Sequence, residues 1–255
     1  MAADEQGNGV ATEISENVIT LRFDRVAKKN AITSDMYRAL ADGLARLESD
    51  DGIRVGVLRA EGPDFCAGND LYDFLSPTTD PDEDVPVTRF LRSLAVCSKP
   101  LVAAVRGRAI GVGATMLLHC DFVYVSADAQ LRFPFVDLGV VPEAGSTMLL
   151  PRLVGRRLAA EAFLLCRPLN AEQAVQYGIA NAVVEDVDAE ASLLLDELLD
   201  KPPGALLATR RLMRGDPSEL LARIDAEDFL FRARLASPEF ASALDNFGRR
   251  GKSPA

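Results

Sequence analysis

Strand and helix patterns alternate through the first half of the chain. Residues Val18–Phe23 alternate apolar and polar side chains and include β-branched residues, which predicts a strand. Ser34 then precedes apolar residues at spacings of three and four, which predicts a helix. The further predicted elements are strands at residues 55–58, 100–105 and Phe122–Val125 and helices at residues 87–97 and 114–119. This alternation predicts an α/β core.

From about residue 143 onward, helical periodicity dominates the sequence. Helices are predicted at residues 143–153, 156–165, 171–177, 189–199, 205–213 and 217–247, the last being either one helix or two. A single short strand is expected at 182–184, and the acidic, proline-rich segment 77–86 is expected to be a mobile surface loop. The predicted organisation is therefore a core over residues 1–195 followed by a helical C-terminal region over residues 196–255.

Composition excludes several functional classes. The 255 residues carry a formal net charge of −10, whereas a nucleic-acid-binding protein normally shows a basic face. His119 is the only histidine, so His-rich metal sites are excluded and any Ser–His–Asp mechanism would depend on it. The cysteines form no Cys-x-x-Cys pair, the N-terminus lacks a signal-peptide pattern, and no apolar run approaches the roughly 20 residues of a membrane span. We expect a cytoplasmic protein with no metal, no nucleic-acid partner and no membrane association.

Two glycine-containing stretches follow predicted strands. Residues 65–71 follow the strand at 55–58, and residues 107–113 join the next strand to a helix. The second stretch lacks the third glycine of a dinucleotide fingerprint, and no P-loop sequence occurs. Two strand–loop–helix junctions aimed at one point would offer unpaired N–H groups to a developing oxyanion. The pattern alone favours the simpler interpretation, in which the glycines allow tight turns.

Several segments resemble motifs of the enoyl-CoA hydratase/isomerase (crotonase) superfamily. Residues 65–71, Phe-Cys-Ala-Gly-Asn-Asp-Leu, are similar to its Phe-x-Ala-Gly-x-Asp-Leu signature. The further matches, in the family's order along the chain, are residues 99–107, 111–113, 120–121, 138–142 and 247–254. The resemblance extends from about Asn17 to the C-terminus, and several dispersed motifs are far more specific than any one of them.

That resemblance implies a spiral of ββα turns with a helical C-terminal trimerisation region, assembled as a homotrimer or hexamer. The implied ligand is an acyl-CoA thioester, so coenzyme A is part of the substrate and no separate cofactor is expected. The backbone N–H groups of Asn69 and Val112 would form the oxyanion hole. The positions implied to contact coenzyme A are Ala31, Ala67, Gly68, Leu71, Gly111 and Lys252.

Members of this family differ in the side chains that transfer protons. The two catalytic glutamates of hydratases correspond here to Thr115 and Phe135. Neither side chain can ionise, so the chain lacks the groups that ordinary hydration needs at these positions to activate water and deliver a proton. Glu143 follows a proline instead, and residues 142–146 resemble the Δ3,Δ2-enoyl-CoA isomerase branch. By that resemblance, one glutamate removes a proton from C2 of a 3-enoyl-CoA and returns it to C4. An atypical hydratase and a catalytically silent acyl-CoA-binding protein are the alternatives.

Glu143 also has a purely structural explanation, because a glutamate directly after proline is a common residue of a first helical turn. The helix dipole would lower its pKa, whereas burial among the apolar residues of segment 133–141 is able to raise it by more, and the sequence leaves both outcomes open. Of the other polar candidates, we expect His119 to be packed in the core, Asp137 to lie at the surface and Cys66 to be a small core residue.

Overall fold

The computed structural model describes residues 9–70 and 85–250, whose strands form two sheets. The strands are β1 (Val10–Ser15), β2 (Val18–Phe23), β3 (Val55–Ala60), β4 (Leu101–Val105), β5 (Arg108–Ile110), β6 (Phe122–Val125), β7 (Gln130–Arg132), β8 (Leu169–Asn170) and β9 (Ala182–Val183). The larger sheet has the order β1-β2-β3-β4-β6-β9, and the smaller has the order β5-β7-β8.

Helices surround the larger sheet and dominate the end of the chain. They are α1 (Ser34–Ser49), α2 (Pro86–Val96), α3 (Val112–Thr115), α4 (Ser146–Val154), α5 (Arg156–Leu164), α6 (Ala171–Gln176), α7 (Val187–Leu199), α8 (Pro203–Arg214), α9 (Ser218–Leu235) and α10 (Pro238–Arg250). No helix within the described residues is long and apolar enough to cross a membrane. The predicted α/β core followed by helices is confirmed.

The larger sheet is parallel from β2 to β9, and its centre is buried on both faces. Every residue of β4 is buried, which explains why its sequence is continuously apolar rather than alternating. One face of the sheet packs against α7, and the other belongs to the main core with α1 and α2. The boundary predicted at residue 195 falls inside α7, and the division into two units stays a prediction.

β1 is a strand that the sequence analysis did not predict. It pairs antiparallel with β2 through a two-residue turn, in which Glu16 and Asn17 have φ values of 48° and 68°. A left-handed pair of this kind suits a short hairpin because its twist matches that of the strands. The side chains of β1 beyond Ala11 are exposed, so the strand lacks the apolar alternation that identifies strands in a sequence.

The helix predicted over residues 143–153 begins instead at Ser146. Ala144 and Gly145 have φ values of 64° and 68°, a left-handed conformation that a right-handed helix does not contain. Glu143 therefore lies in the loop before α4 and not in its first turn. The explanation of Glu143 as a first-turn helix residue is wrong for this reason.

Two other predicted segments also differ from the structure. The helix predicted at 114–119 is α3 followed by the 3-10 helix Met116–His119. The pattern over 217–247 corresponds to α9 and α10, which separate just before Pro238, where the proline disfavours helical backbone in the preceding residue. Most of the loop predicted at 77–86 lies outside the described residues. α9 packs against α2 and α4, which brings the end of the chain beside the loop that carries Glu143.

Candidate active site

The two predicted glycine junctions lie side by side. The Cys66 N–H donates to the carbonyl oxygen of Arg108 at 2.9 Å, and the Ile110 N–H donates to the carbonyl oxygen of Cys66 at 2.9 Å. Cys66 thus forms a parallel bridge with Ala109 in β5. The segments after β3 and β5 are therefore tied together by backbone hydrogen bonds, and the helix α3 begins at their meeting point.

Glycine is required where these segments meet. Gly68 and Gly111 have φ values of 90° and 56°, and both lie in the region that side chains disfavour. A β-carbon added at Gly113 would lie 2.7 Å from Cys66 Cβ and 2.8 Å from the Cys66 carbonyl oxygen. The glycines therefore do more than allow turns, because they let two backbones approach one another closely.

The backbone amides at this meeting point differ in their hydrogen bonding. The Gly111 N–H is used, since it donates to the Arg132 carbonyl oxygen at 2.9 Å. Within the described residues, by contrast, no acceptor is found for the N–H groups of Asn69 and Val112. Val112 is the first residue of α3, where a helix leaves its N–H groups unpaired. The assignment of Asn69 and Val112 to an oxyanion hole stays a prediction, with donors of the required kind in place.

The segments predicted to contact coenzyme A are also adjacent. The Ala67 N–H donates to the Lys29 carbonyl oxygen at 3.0 Å, beside the bridge between Ile32 and Asn69. Ala31 is held by a side chain, because the Arg25 guanidinium donates a hydrogen bond to its carbonyl oxygen at 3.0 Å. The structure thus brings Ala31, Ala67, Gly68 and Gly111 into one region. Leu71 and Lys252 lie outside the described residues.

Glu143 is a buried carboxylate with unused hydrogen-bonding capacity. The residue is 5% exposed, and its Oε1 atom has no hydrogen-bond partner within the described part of the chain. Burial, together with the negative charges of Glu227 and Asp228, raises the pKa of Glu143 from its ordinary 4.5 to about 8. A carboxyl group with a pKa near neutrality can both accept and return a proton at physiological pH.

Tyr37 is a site residue that the sequence analysis missed. It lies on the buried face of α1, and its hydroxyl donates to the Oδ1 atom of Asn69. Burial raises the pKa of Tyr37 well above its usual range, and the charge of Glu143 contributes to that shift, so the phenol is neutral and close to the carboxylate. The sequence shows only an apolar helix face containing a tyrosine, which is indistinguishable from core packing.

The remaining polar candidates do not add an acid or base to the site. Thr115 and Phe135, at the hydratase positions, are both buried and non-ionisable. Asp137 is exposed and forms an ion pair with Arg132, as expected for a surface residue. Burial raises the pKa of the Cys66 thiol to about 12, so it is an inert core residue. His119 is buried, which confirms that it is packed in the core.

Glu143→Gln is expected to change the pH dependence of stability. Between pH 4.5 and about 8 the folded protein retains a proton on Glu143 that the unfolded chain has lost. The free energy of unfolding therefore falls as pH rises through this window, by roughly 3–5 kcal/mol in total. Glutamine carries no titrating proton, so the free energy of unfolding of the variant should not fall in this way. The variant should therefore be only slightly more stable than the wild type near pH 5, and its advantage should be largest above pH 8. Urea denaturation across this range measures it, and an advantage independent of pH would contradict the elevated pKa.

Two joined glycine-containing loops whose amides at Asn69 and Val112 have no acceptor among the described residues, together with a buried carboxyl of elevated pKa, are typical of a class of α/β enzyme that stabilises an oxyanion and transfers a proton. The sequence model of the enoyl-CoA hydratase/isomerase family matches residues 13–254, and the chain belongs to that family. The resemblance to the crotonase superfamily and the predicted crotonase-like fold class are thereby confirmed.

Individual relatives are similar over most of the chain. It is 39% identical over 247 residues to 1,2-epoxyphenylacetyl-CoA isomerase of Escherichia coli strain K12, covering 93% of this chain and 94% of the relative. It is 30% identical over 254 residues to enoyl-CoA delta isomerase 2 of Rattus norvegicus, covering 96% of this chain and 65% of that one. The crystal structure of an enoyl-CoA hydratase/isomerase from Pseudoalteromonas atlantica T6c is 39% identical, has a TM-score of 0.91, and aligns over 97% and 99% of the two chains.

Proposed function

We propose that this protein is an isomerase that shifts the double bond of a 3-enoyl-CoA to the 2-trans position, with Glu143 as its only acid/base. The observation that carries the proposal is the buried Glu143 carboxyl, whose Oε1 atom has no partner in the described residues and whose pKa is raised to about 8. The rat relative, enoyl-CoA delta isomerase 2, gives independent support for chemistry of this type.

The reaction needs one proton carrier and a site for negative charge. Glu143 removes a proton from C2, and the electrons of that C–H bond form a dienolate whose oxygen accepts hydrogen bonds from the Asn69 and Val112 amides. The electrons of the C3–C4 double bond then take the same proton back at C4, leaving a double bond between C2 and C3. No water is consumed, so the second ionisable group of a hydratase is unnecessary.

A panel of three substrates separates this proposal from its alternatives. Conversion of 3-enoyl-CoA with no reaction of 2-enoyl-CoA supports the isomerase, whereas rapid hydration of 2-enoyl-CoA would overturn it. Binding of both thioesters without turnover would indicate a catalytically silent acyl-CoA-binding protein. The third substrate in the panel is 1,2-epoxyphenylacetyl-CoA, because the chain is 39% identical to an E. coli isomerase named for that compound.

Isomerase activity should depend on the ionisation of Glu143. The carboxylate form is required to accept the C2 proton, and the pKa of Glu143 is raised to about 8. We therefore expect kcat/KM to rise about tenfold per pH unit up to that pH and then to level off. Initial rates with 3-enoyl-CoA from pH 6 to pH 9.5 measure the profile, and a profile that is flat over this range would exclude Glu143 as the base.

We also propose that the protein assembles as a homotrimer or hexamer and acts in the cytoplasm. Large apolar side chains are exposed on the C-terminal helices, among them Leu212 at 82% and Met213 at 81% on α8, and Phe229 at 74% on α9. Exposed apolar groups of this size are typical of surfaces that bind another protein chain. Light scattering of the purified protein gives the assembly mass, and a monomer across the micromolar range would overturn this proposal.

A further inference from the structure

The peptide unit between Ala144 and Gly145 lies one residue after Glu143, and both its carbonyl oxygen and its N–H group are hydrogen-bonded to side chains from other parts of the chain. Its carbonyl oxygen lies 2.7 Å from the Nε2 atom of His119. Its N–H group donates to the Oε2 atom of Glu227 at 2.6 Å. One peptide unit therefore bonds to the 3-10 helix after α3 through its oxygen and to α9 through its nitrogen.

This peptide unit lies in a backbone conformation that the chain disfavours. Ala144 has a φ of 64°, in the left-handed region where a β-carbon is unfavourable. Gly145 has a φ of 68°, and a β-carbon there would lie 2.3 Å from Leu220 Cδ1 on α9. A turn of this kind persists only where surrounding contacts determine it, and here those contacts come from distant parts of the chain.

Glu227 also caps the helix that follows the turn. Gly145, at the N-cap of α4, has no side chain to accept the first free N–H groups of the helix. The Oε1 atom of Glu227 instead accepts the Thr147 N–H at 2.9 Å and the Thr147 hydroxyl at 2.5 Å. A carboxylate from α9 therefore replaces the missing cap, which ties the start of α4 and the Glu143 turn to one anchor.

His119 is suited to donate a hydrogen bond to the carbonyl oxygen at the other end of this peptide unit. The Ala144 carbonyl oxygen can only accept a hydrogen bond, so the proton of a neutral imidazole must lie on Nε2. Burial lowers the pKa of His119 to about 4, which keeps the ring neutral at physiological pH. Its Nδ1 atom is buried and has no hydrogen-bond partner in the described part of the chain, so the contact with Ala144 is its role in this turn.

We propose that Glu227 and His119 are positioning residues of the acid/base group: by holding the Ala144–Gly145 peptide unit, one residue after Glu143, they fix where the Glu143 carboxyl group meets the substrate. Neither residue belongs to the segments assigned to the oxyanion or to coenzyme A. The expected effects on kcat rest on the proposed isomerase function. The pair of hydrogen bonds from Glu227 and His119 to the Ala144–Gly145 peptide unit, called the clamp below, is testable without any substrate.

Glu227 affects Glu143 in two ways: its negative charge raises the pKa of Glu143, and its hydrogen bond to Gly145 holds the turn in place. A test must separate these two effects. The groups whose charge or ionisation is coupled to that of Glu143 are Tyr37 on α1, Cys66 in the first glycine junction, and Glu227 and Asp228 on α9. Asp228→Asn removes a nearby negative charge without touching the clamp, since Asp228 bonds to Arg232 and Thr88. Glu219→Gln is the matched control, because Glu219 also joins α9 to α4 but does so at the surface, through Arg152.

Glu227→Gln is expected to lower kcat for 3-enoyl-CoA by about 100-fold with little change in KM, the effect of displacing a reacting group by about 1 Å. The acid limb of its pH profile should move to lower pH, as it should in Asp228→Asn. Amide hydrogen exchange resolved by NMR should be faster at Gly145 and Thr147 in Glu227→Gln only. Glu219→Gln should keep the parental kcat, pH profile and exchange rates.

The histidine side of the clamp gives a second, independent test. His119→Leu removes the donor to Ala144 and should lower kcat, whereas His119→Gln retains an N–H donor and should recover most of the activity. If Glu227→Gln does not fold, this pair decides the matter. Parental kcat in both Glu227→Gln and His119→Leu, with parental exchange at Gly145 and Thr147 in Glu227→Gln, would overturn the inference. If the wild-type protein lacks isomerase activity, the proposed function fails, and exchange at Gly145 still shows whether the clamp exists.

Discussion

Glu143→Gln is expected to lower isomerase turnover by about 10²–10⁴-fold, the contribution of a positioned proton-transfer group. Glutamine keeps the size of the side chain but cannot take the proton from C2. Acyl-CoA binding should be nearly unchanged, because the predicted thioester and coenzyme A contacts involve other residues. Initial rates with 3-enoyl-CoA give kcat, and isothermal titration calorimetry with an acyl-CoA gives Kd.

Two further variants sharpen this test. Glu143→Asp keeps the carboxylate but shortens its reach, so its turnover should lie between those of the wild type and Glu143→Gln. Glu172→Gln removes an exposed carboxylate on α6 and should leave the rate unchanged. Normal turnover in Glu143→Gln would remove this residue from the mechanism, and loss of binding would show that its role is structural.

Gly113→Ala should produce the second large effect. The new β-carbon would lie 2.7 Å from Cys66 Cβ and 2.8 Å from the Cys66 carbonyl oxygen, closer than packed atoms approach. Cys66 is itself bonded to both Arg108 and Ile110, so room is made only if the two glycine junctions move apart. We expect about 1–3 kcal/mol lower stability from overpacking and a kcat/KM about 100-fold lower from misplaced amides. Urea denaturation and steady-state rates measure the two effects.

Gly204→Ala is the matched control for that substitution. Gly204 lies in α8, and a β-carbon there would have no neighbour within 4 Å. Alanine is a better helix former than glycine by about 1 kcal/mol, so this variant should be as stable as the wild type or more so, with full activity. If Gly113→Ala were equally active, the close approach of the junctions would have no part in catalysis.

Features that depend on a local pattern of residues are predictable from the sequence. The strand β4 is predictable because five consecutive apolar residues are what a strand buried on both faces requires. Glycines after a strand mark unusual backbone, which singles out Gly68, Gly111 and Gly113, whereas Glu143 is singled out by the resemblance of residues 142–146 to the isomerase branch. The resemblance to the family then gave these residues roles that spacing alone could not.

The parts that sequence reasoning missed depend on tertiary contacts. Glu227 reaches Gly145 across 82 positions, and within its own helix it is one acidic residue among several. Tyr37 is likewise indistinguishable from a core aromatic until Asn69 is placed beside it. The start of α4 was predicted too early because Ala144 favours helix by propensity, and only its surroundings hold it in a left-handed conformation.

The division of the site between two parts of the fold has a consequence for how such an enzyme diverges. The free amides are built on the parallel sheet and the small sheet beside it, whereas the Glu143 turn is anchored on α9. Under the proposed function, substitutions on α9 would therefore change the pKa and the reach of Glu143 while the predicted thioester contacts are preserved. A descendant of such an enzyme would then acquire a new reaction through its C-terminal helices and keep its acyl-CoA ligand.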